Sequence, residues 1–404
     1  MTAARRFQRI IATTDVHSAF DDAVPMLTHL HAMRHDSFVV DCGDFFEGTG
    51  YYRLGQGRIE QDALVRLYDA VTPGNHGWDH HFEPALHDIT VCANAIDDET
   101  GELLFHPVRL VRVGTRRVAV TGIIGPQAFN AIPADQRAGQ RAIEPVRALR
   151  ELMLAHHHQA DSWVVLSHSG FDEDLKLAES CPFLDVVFAG HCHSDRPEPV
   201  VVGDTLVLKG RELAAGYALA QPLGSGWTAQ VAGFPPTAGL PDELTSVREA
   251  MGAIRYQLRT PLGPVRYLYR NGPIDRHAVL LDLADRLHNG LGAEAVVLNE
   301  TALRSPRLKT VLTHGDLLEI EPFDNQLVHA HVPEHFSADP TALLTHLTQQ
   351  AGPIVSTPVP LPDRLPTVLT TGYLADAYLG GRTWQAGIRL SQAVQHTLTD
   401  GDPR

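Results

Sequence analysis

Short apolar runs alternate with helical patterns through the first half of this chain, and several of the runs stop directly on clusters of Asp, Asn, His and Gly. Residues 10–12, 38–40, 118–124, 163–166 and 186–189 read as buried strands. Residues 25–34, 61–68 and 145–154 carry apolar side chains at helical spacing. Strands alternating with helices call for α/β layers, because each element must bury a face against another. In such sheets the strands' C-terminal ends are where sites form, so the position of the polar clusters is itself a functional signal.

Asp15-Val16-His17 follows the first run, and Asp41-Cys42-Gly43-Asp44 follows the second. Gly74-Asn75-His76-Gly77-Trp78-Asp79 makes a third cluster. Ser167-His168-Ser169-Gly170 follows the run at 163–166, and Gly190-His191-Cys192-His193 follows the run at 186–189. A lone Asp-x-His or His-x-His is ordinary on a solvated protein surface; five clusters in succession make a constellation. Its donors are imidazole, carboxylate and amide without thiolate, a set that suits Zn, Fe and Ni as well as the harder Mn and Mg. Two such ions need a shared carboxylate, and Asp44 lies midway in the order. A pair of cations about 3.5–4 Å apart clamps an in-line displacement at phosphorus and activates water near neutral pH. Gly43, Gly74 and Gly190 each precede a proposed ligand or ligand pair, where tight turns and close backbone approach are needed.

Composition narrows the partners. The 404 residues are enough for two domains. Lys and Arg number 33 against 48 Asp and Glu, a formal charge of −15, so no nucleic-acid partner is expected through a basic face. Metals or local arginines can still invert the field at one site and admit a small anion. Cys42, Cys92, Cys181 and Cys192 are too few and scattered for a disulfide framework, which points to a reducing, cytoplasmic location. No apolar segment precedes the first strand and no run approaches membrane-spanning length, so neither an export signal nor a membrane partner is expected. The oligomeric state stays open. His156-His157-His158, at the end of a predicted helix, reads as solvated surface.

Gly/Pro-rich residues 221–241 suggest the end of a first domain. The expected division is a catalytic domain over residues 1–240, a helical linker over 241–261 and a second α/β domain over 262–404. That second domain shows a helix near 278–287 and strands at 295–298 and 326–332.

The ordered set Asp-x-His, Gly-Asp, Gly-Asn-His, His and Gly-His-x-His resembles that of the calcineurin-like metallophosphoesterases. Val40-Asp-Cys-Gly-Asp-Phe-Phe-Glu-Gly-Thr-Gly50, Thr72-Pro-Gly-Asn-His-Gly-Trp-Asp79 and Asp185-Val-Val-Phe-Ala-Gly-His-Cys-His193 resemble the 5′-nucleotidase branch in particular. Thr313-His-Gly-Asp-Leu-Leu-Glu-Ile-Glu-Pro-Phe-Asp-Asn-Gln-Leu-Val328 extends the likeness to that branch's C-terminal domain. The resemblance implies a four-layer α/β/β/α metallophosphoesterase sandwich followed by a smaller α/β nucleotidase domain.

It also implies one divalent ion on Asp15, His17, Asp44 and His193, and another on Asp44, Asn75, His168 and His191. Mn, Zn, Fe, Mg, Co and Ni are all admissible. His76 takes the place of the catalytic imidazole, and Asp79 that of the carboxylate orienting it. In the second domain Arg304 matches a phosphate-binding arginine, and Asn299 opens the same motif. Arg266 and Arg270 match further phosphate contacts, with strand-surface residues as the alternative. Phe323 and Tyr373 match two aromatics that sandwich a base, with core packing as the alternative, and Asn325 matches a base-contacting amide. Thr301-Ala302 replaces the branch's glycine pair before the arginine, Asp324 replaces a glycine, and Ala377-Tyr-Leu-Gly-Gly381 replaces a glycine-rich segment. The implied activity is hydrolysis of nucleoside 5′-monophosphates, or of a modified nucleotide of a specialised pathway, by in-line attack of metal-activated hydroxide. A phosphodiesterase or nucleotide-sugar pyrophosphatase is the enzyme alternative, and a non-catalytic nucleotide-binding protein the alternative of another class.

Overall fold

A computed structural model describes residues 5–399 apart from 195, 197, 238 and 271. The chain forms two compact units, Met1–Ile254 and Arg255–Arg404, divided inside the helix Thr245–Leu258.

The runs expected as strands in the first unit are Arg9–Thr13, Ser37–Asp41, Arg116–Ile124, Ser162–His168 and Val186–Ala189. They sort into two sheets. One has the order Gly226–Gly233, Gly216–Leu223, Arg9–Thr13, Ser37–Asp41, Ala70–Val71. The other has the order Val200–Val202, Thr205–Lys209, Val186–Ala189, Ser162–His168, Arg116–Ile124, Arg109–Val113. The strands that carry the polar clusters pair in parallel within each sheet, and antiparallel strands flank them. Central parallel strands are covered on both faces, which is why they appear in the sequence as continuous apolar runs. Ser162–His168 is buried at every position.

Between the sheets lie Ile10, Ala12, Phe38 and Val40 with Val120, Leu166, Phe188 and Leu208. On the outer face of the second sheet, Leu149, Phe171 and Leu177 from the helices Pro145–His156 and Phe171–Ser180 pack with Val165 and Val187. The helices Val24–Met33 and Arg58–Leu67 bury Leu27, Leu30, Leu64 and Leu67. The result is the four-layer α/β/β/α arrangement, each large buried side chain contributing about 1.5–3 kcal/mol. Residues 216–233, which include the start of the Gly/Pro-rich stretch, form a hairpin turning at Gly224 and Ser225. Its first strand pairs antiparallel with Arg9–Thr13, so these glycines and prolines belong to a sheet edge.

Register brings the site together. Thr13 pairs with Asp41 in the first sheet, and Ile124 with His168 and Ser167 with Ala189 in the second. The strands of each sheet therefore end level, and their loops leave side by side.

The second unit is built on a five-stranded sheet of order Ile354–Thr357, Val296–Asn299, Thr367–Thr371, Gln326–His331, Thr383–Arg389. Helices Arg276–Leu291 and Leu390–Leu398 pack on one core, and Pro340–Ala351 and Gly372–Tyr378 on the other. Among the described residues no helix is long and apolar enough to cross a membrane.

Candidate metal centre

The loops after Arg9–Thr13 and Ser37–Asp41 are laced by backbone hydrogen bonds. Asp15 N–H donates to Gly43 O at 3.0 Å, and His17 N–H to Asp44 O at 2.9 Å. Asp15, His17, Asp44 and His191 all have positive φ, between 49° and 73°. Non-glycine residues avoid that region, so holding four there requires a surrounding fold that over-determines them. The glycines do the rest. A Cβ on Gly74 would lie 1.9 Å from Asp44 Oδ1, and one on Gly43 would lie 2.5 Å from His168 Nδ1.

Three groups of potential donor atoms result, each drawn together within 4.8 Å: Asp15, His17 and His193; His17, Asp44 and His76; Asp44, His168 and His191. Asp44 Oδ2 lies 3.2 Å from His168 Nε2 and 3.8 Å from His17 Nε2. One carboxylate oxygen thus stands between the two sets. Asn75 Oδ1 is 3.3 Å from His168 Nε2, which adds the amide to the second set. Backbone donors fix the carboxylates: His76 N–H reaches Asp44 Oδ1 at 2.9 Å, and His191 N–H reaches Asp15 Oδ1 at 3.0 Å. His168 Nδ1 is bonded to Cys42 O at 2.8 Å, which leaves Nε2 facing the cluster. All seven expected ligands therefore converge.

The electrostatics fit a cation. His17 Nε2 is a buried ring nitrogen with no hydrogen-bond partner, and burial holds this imidazole below its ordinary pKa. Burial also disfavours charge on His168, yet the Asp44 carboxylate, with Asp15 and the Cys42 carbonyl, outweighs it and raises His168 to about 9. Asp44 is held well below the carboxylate range, its burial overcome by His168, His76 and His17. A cluster negative enough to keep a proton on a fully buried imidazole answers the same demand when it binds a divalent ion. Its nitrogen and oxygen donors suit either hard or borderline metals.

His76 lies within this cluster, but its expected partner does not serve it. Nδ1 of His76 is 2.8 Å from Glu47 Oε2, and Glu47 Oε1 accepts the Gly77 N–H at 2.9 Å. That hydrogen bond raises the His76 pKa, opposed by burial. Asp79 is exposed on the short helix Trp78–Phe82. Gly77, at φ 69°, turns the chain so that Trp78 enters the core beside Phe105 and Phe129, and Asp79 is left exposed. Two more residues join the site without a motif to announce them. Lys209, 2% exposed, lies 4.0 Å from Asp15 Oδ2 and 3.7 Å from Glu212 Oε1. Glu212 Oε2 lies 2.7 Å from His193 Nδ1. Lys209 ends a strand just as the recognised clusters do, but neither it nor Glu212 fits a ligand motif. His157 and His158 are exposed at the end of Pro145–His156, as expected.

In the second unit Leu327 pairs with Thr371, which sets Asn325 and Tyr373 at the same sheet end. Val296 pairs in parallel with Leu369, so Asn299 ends its strand there too. The Arg304 guanidinium lies 5.1 Å from the centre of the Phe323 ring. Phe323 and Tyr373 are 49% and 51% exposed, which removes the core-packing alternative. Tyr373 bonds Tyr378 hydroxyl to hydroxyl at 3.1 Å. The Asn325 amide donates to Glu321 Oε1 at 3.1 Å. Arg266 is otherwise engaged: it is paired with Asp282 and bonded to Thr397 O. Arg270 bonds Val265 O, and both arginines flank the short helix Tyr267–Tyr269 rather than lying on a strand. Arg266 is thus held in an internal ion pair, and Arg270 is anchored through Nε to a backbone carbonyl.

Residues 8–195 match the calcineurin-like phosphoesterase family, so the first unit carries a domain of that family. Such domains work with a pair of divalent metal ions. Over 173 residues the chain is 28% identical to an apyrase of Aedes albopictus, a match spanning 39% of this chain and 30% of that protein. The fold as a whole is similar to that of a 5′-nucleotidase precursor from Thermus thermophilus, at 19% identity and a TM-score of 0.66, covering 97% of this chain and 96% of that one. A 5′-nucleotidase from Candida albicans gives 14% identity and a TM-score of 0.66 over 98% and 99% of the two chains. These structural likenesses establish the two-domain fold.

Proposed function

We propose that this protein is a two-metal phosphomonoesterase that hydrolyses nucleoside 5′-monophosphates to nucleoside and phosphate. The observation that carries the reading is the single Asp44 oxygen standing between His17 and His168. Asp15, His17, Asp44 and His193 would hold one ion, and Asp44, Asn75, His168 and His191 the other. When bound, such a pair supplies Lewis-acid polarisation of the phosphoryl group and a nucleophile at neutral pH. The chain's own residues supply the remainder. With Nδ1 of His76 engaged by Glu47, Nε2 is the nitrogen left to protonate a leaving alkoxide or to meet charge on the phosphoryl oxygens. Arg304 offers a planar fork for phosphate, and Phe323, Asn325 and Tyr373 offer two rings and an amide for a base. The free state of all four thiols favours a reducing compartment, and we place the protein in the cytoplasm on that ground.

The similarity to an apyrase favours one alternative, hydrolysis of a phosphoanhydride or diester at the same centre. Phosphate release is to be measured on nucleoside monophosphates, di- and triphosphates, cyclic phosphates and nucleotide sugars, with metal analysis of the same preparation. Preference for monophosphates supports the proposal, and preference for anhydrides or diesters selects the alternative. Nucleotide binding without turnover in excess Mn²⁺ overturns both.

A further inference from the structure

We propose that Glu47 is the positioning residue of His76, in the place the sequence pattern assigns to Asp79; this rests on the reading of His76 as the proton-handling group. Two carboxylates from one loop grip consecutive peptides of another: Asp44 Oδ1 takes the His76 N–H, and Glu47 Oε1 takes the Gly77 N–H. The second oxygen of Glu47 then takes Nδ1 of the intervening imidazole at 2.8 Å. Backbone and ring of His76 are therefore fixed by one side chain relative to the carboxylate shared by the metal sets. A carboxylate on Nδ1 selects the tautomer that carries its proton there and leaves Nε2 for the reacting group.

The loop is built to keep Glu47 where it is. Glu47 has φ 65°, in the region that ordinary residues avoid, and so does Asp44 at 56°. Such conformations persist where neighbours enforce them, and they concentrate at functional sites. Gly48, at φ 95°, lets the loop pass close against His17, since a Cβ on it would lie 2.8 Å from His17 Cβ. The loop is thus threaded between His17 on one side and the His76-Gly77 peptide on the other. Asp79 lies exposed beyond the Gly77 turn.

The test compares Glu47→Gln, Asp79→Asn and His76→Ala in the metal-loaded protein. Glu47→Gln should lower kcat by about 10–100-fold with KM and metal content nearly unchanged, and Asp79→Asn should lose less. The ¹⁵N spectrum of His76 should show a protonated Nδ1 in the wild type and a redistributed proton in Glu47→Gln. Adding Glu47→Gln to His76→Ala should cost nothing more, because the carboxylate acts through the ring. An additive loss, an unchanged tautomer, or a greater loss with Asp79→Asn overturns the inference. Should Glu47→Gln not fold, Glu47→Asp, one methylene short of reaching both donors, carries the same comparison. A full-activity His76→Ala overturns the underlying reading instead, whatever Glu47 does.

Discussion

The polar end of the first unit and the polar sheet end of the second are built on opposite terms. In the first, Asp15, Asp44 and His168 are almost wholly buried, the loops of Asp15 and Asp44 are laced by backbone hydrogen bonds, and four of the seven proposed ligands sit at positive φ. In the second, Arg304, Phe323 and Tyr373 stand exposed to solvent on ordinary backbone, touching mainly one another or a neighbouring tyrosine. Assembling like charges around cations demands burial and strain that the rest of the fold must support. Recognising a small planar ligand asks only for exposed rings and a guanidinium at one sheet end. Substitutions of the metal ligands themselves should therefore change metal content, stability and rate together, while those in the second region should change affinity alone.

Asp44→Asn should have the largest effect. With the charge of the shared oxygen gone, metal content should fall below two ions and phosphate release should drop by at least about 10³-fold, a modest share of what enzymes supply. Full metal stoichiometry in this variant would break the assignment of Asp44 as the bridge. Arg304→Ala tests the other region. It should raise KM roughly tenfold to a hundredfold, the worth of a charge-assisted pair, with metal content and melting temperature unchanged. A loss of metal on this substitution would erase the contrast between the two regions.

Lys209→Met sharpens the contrast within the first unit. The ammonium is buried beside Asp15 and Glu212. Removing one partner of a buried ion pair costs about 3–5 kcal/mol when nothing replaces the charge. A bound cation on Asp15 replaces part of it, so the melting temperature should fall more in chelator than in metal, and the metal-induced rise should grow. Equal losses in both conditions would make Lys209 a packing residue only.

The same two regions differ in how far the sequence discloses them. The metal ligands are legible because parallel strands read as apolar runs, and a ligand at a strand end interrupts such a run visibly, as Asp15 and His168 do. Register then does the rest, since strands that start level end level. Glu47 is not legible, because its reach to His76 depends on a left-handed backbone that no residue type announces. Asp79 misleads for the converse reason: one glycine at φ 69° turns a motif neighbour outward. Lys209 ends an apolar run as visibly as the ligands do, but a lysine is not a metal donor and belongs to no ligand pattern. In the second unit Arg266 lies in a strand-like stretch, and only the fold shows its partner, Asp282, 16 residues on.

Asp41 supplies the smallest effect on activity, and the most specific one. It lies three residues before the shared carboxylate, fully buried, accepting from Thr13 Oγ1 at 2.5 Å and from the Gly43 N–H at 2.9 Å. Burial raises its pKa from 3.8 to about 8, against the pull of those hydrogen bonds. The folded protein thus holds a proton that the unfolded chain has released, so stability is lost as pH rises from about 4 to about 8 and levels off above. Asp41→Asn removes that titration while keeping the shape of the side chain. Its melting temperature should match the wild type near pH 4 and rise progressively above it toward pH 8, with metal content unchanged. A variant that melts lower than the wild type at every pH would show that the ionised form of Asp41 is what the fold requires. The first unit would then be holding one more negative charge beside its metal ligands, and the difference between the two regions would widen by that charge.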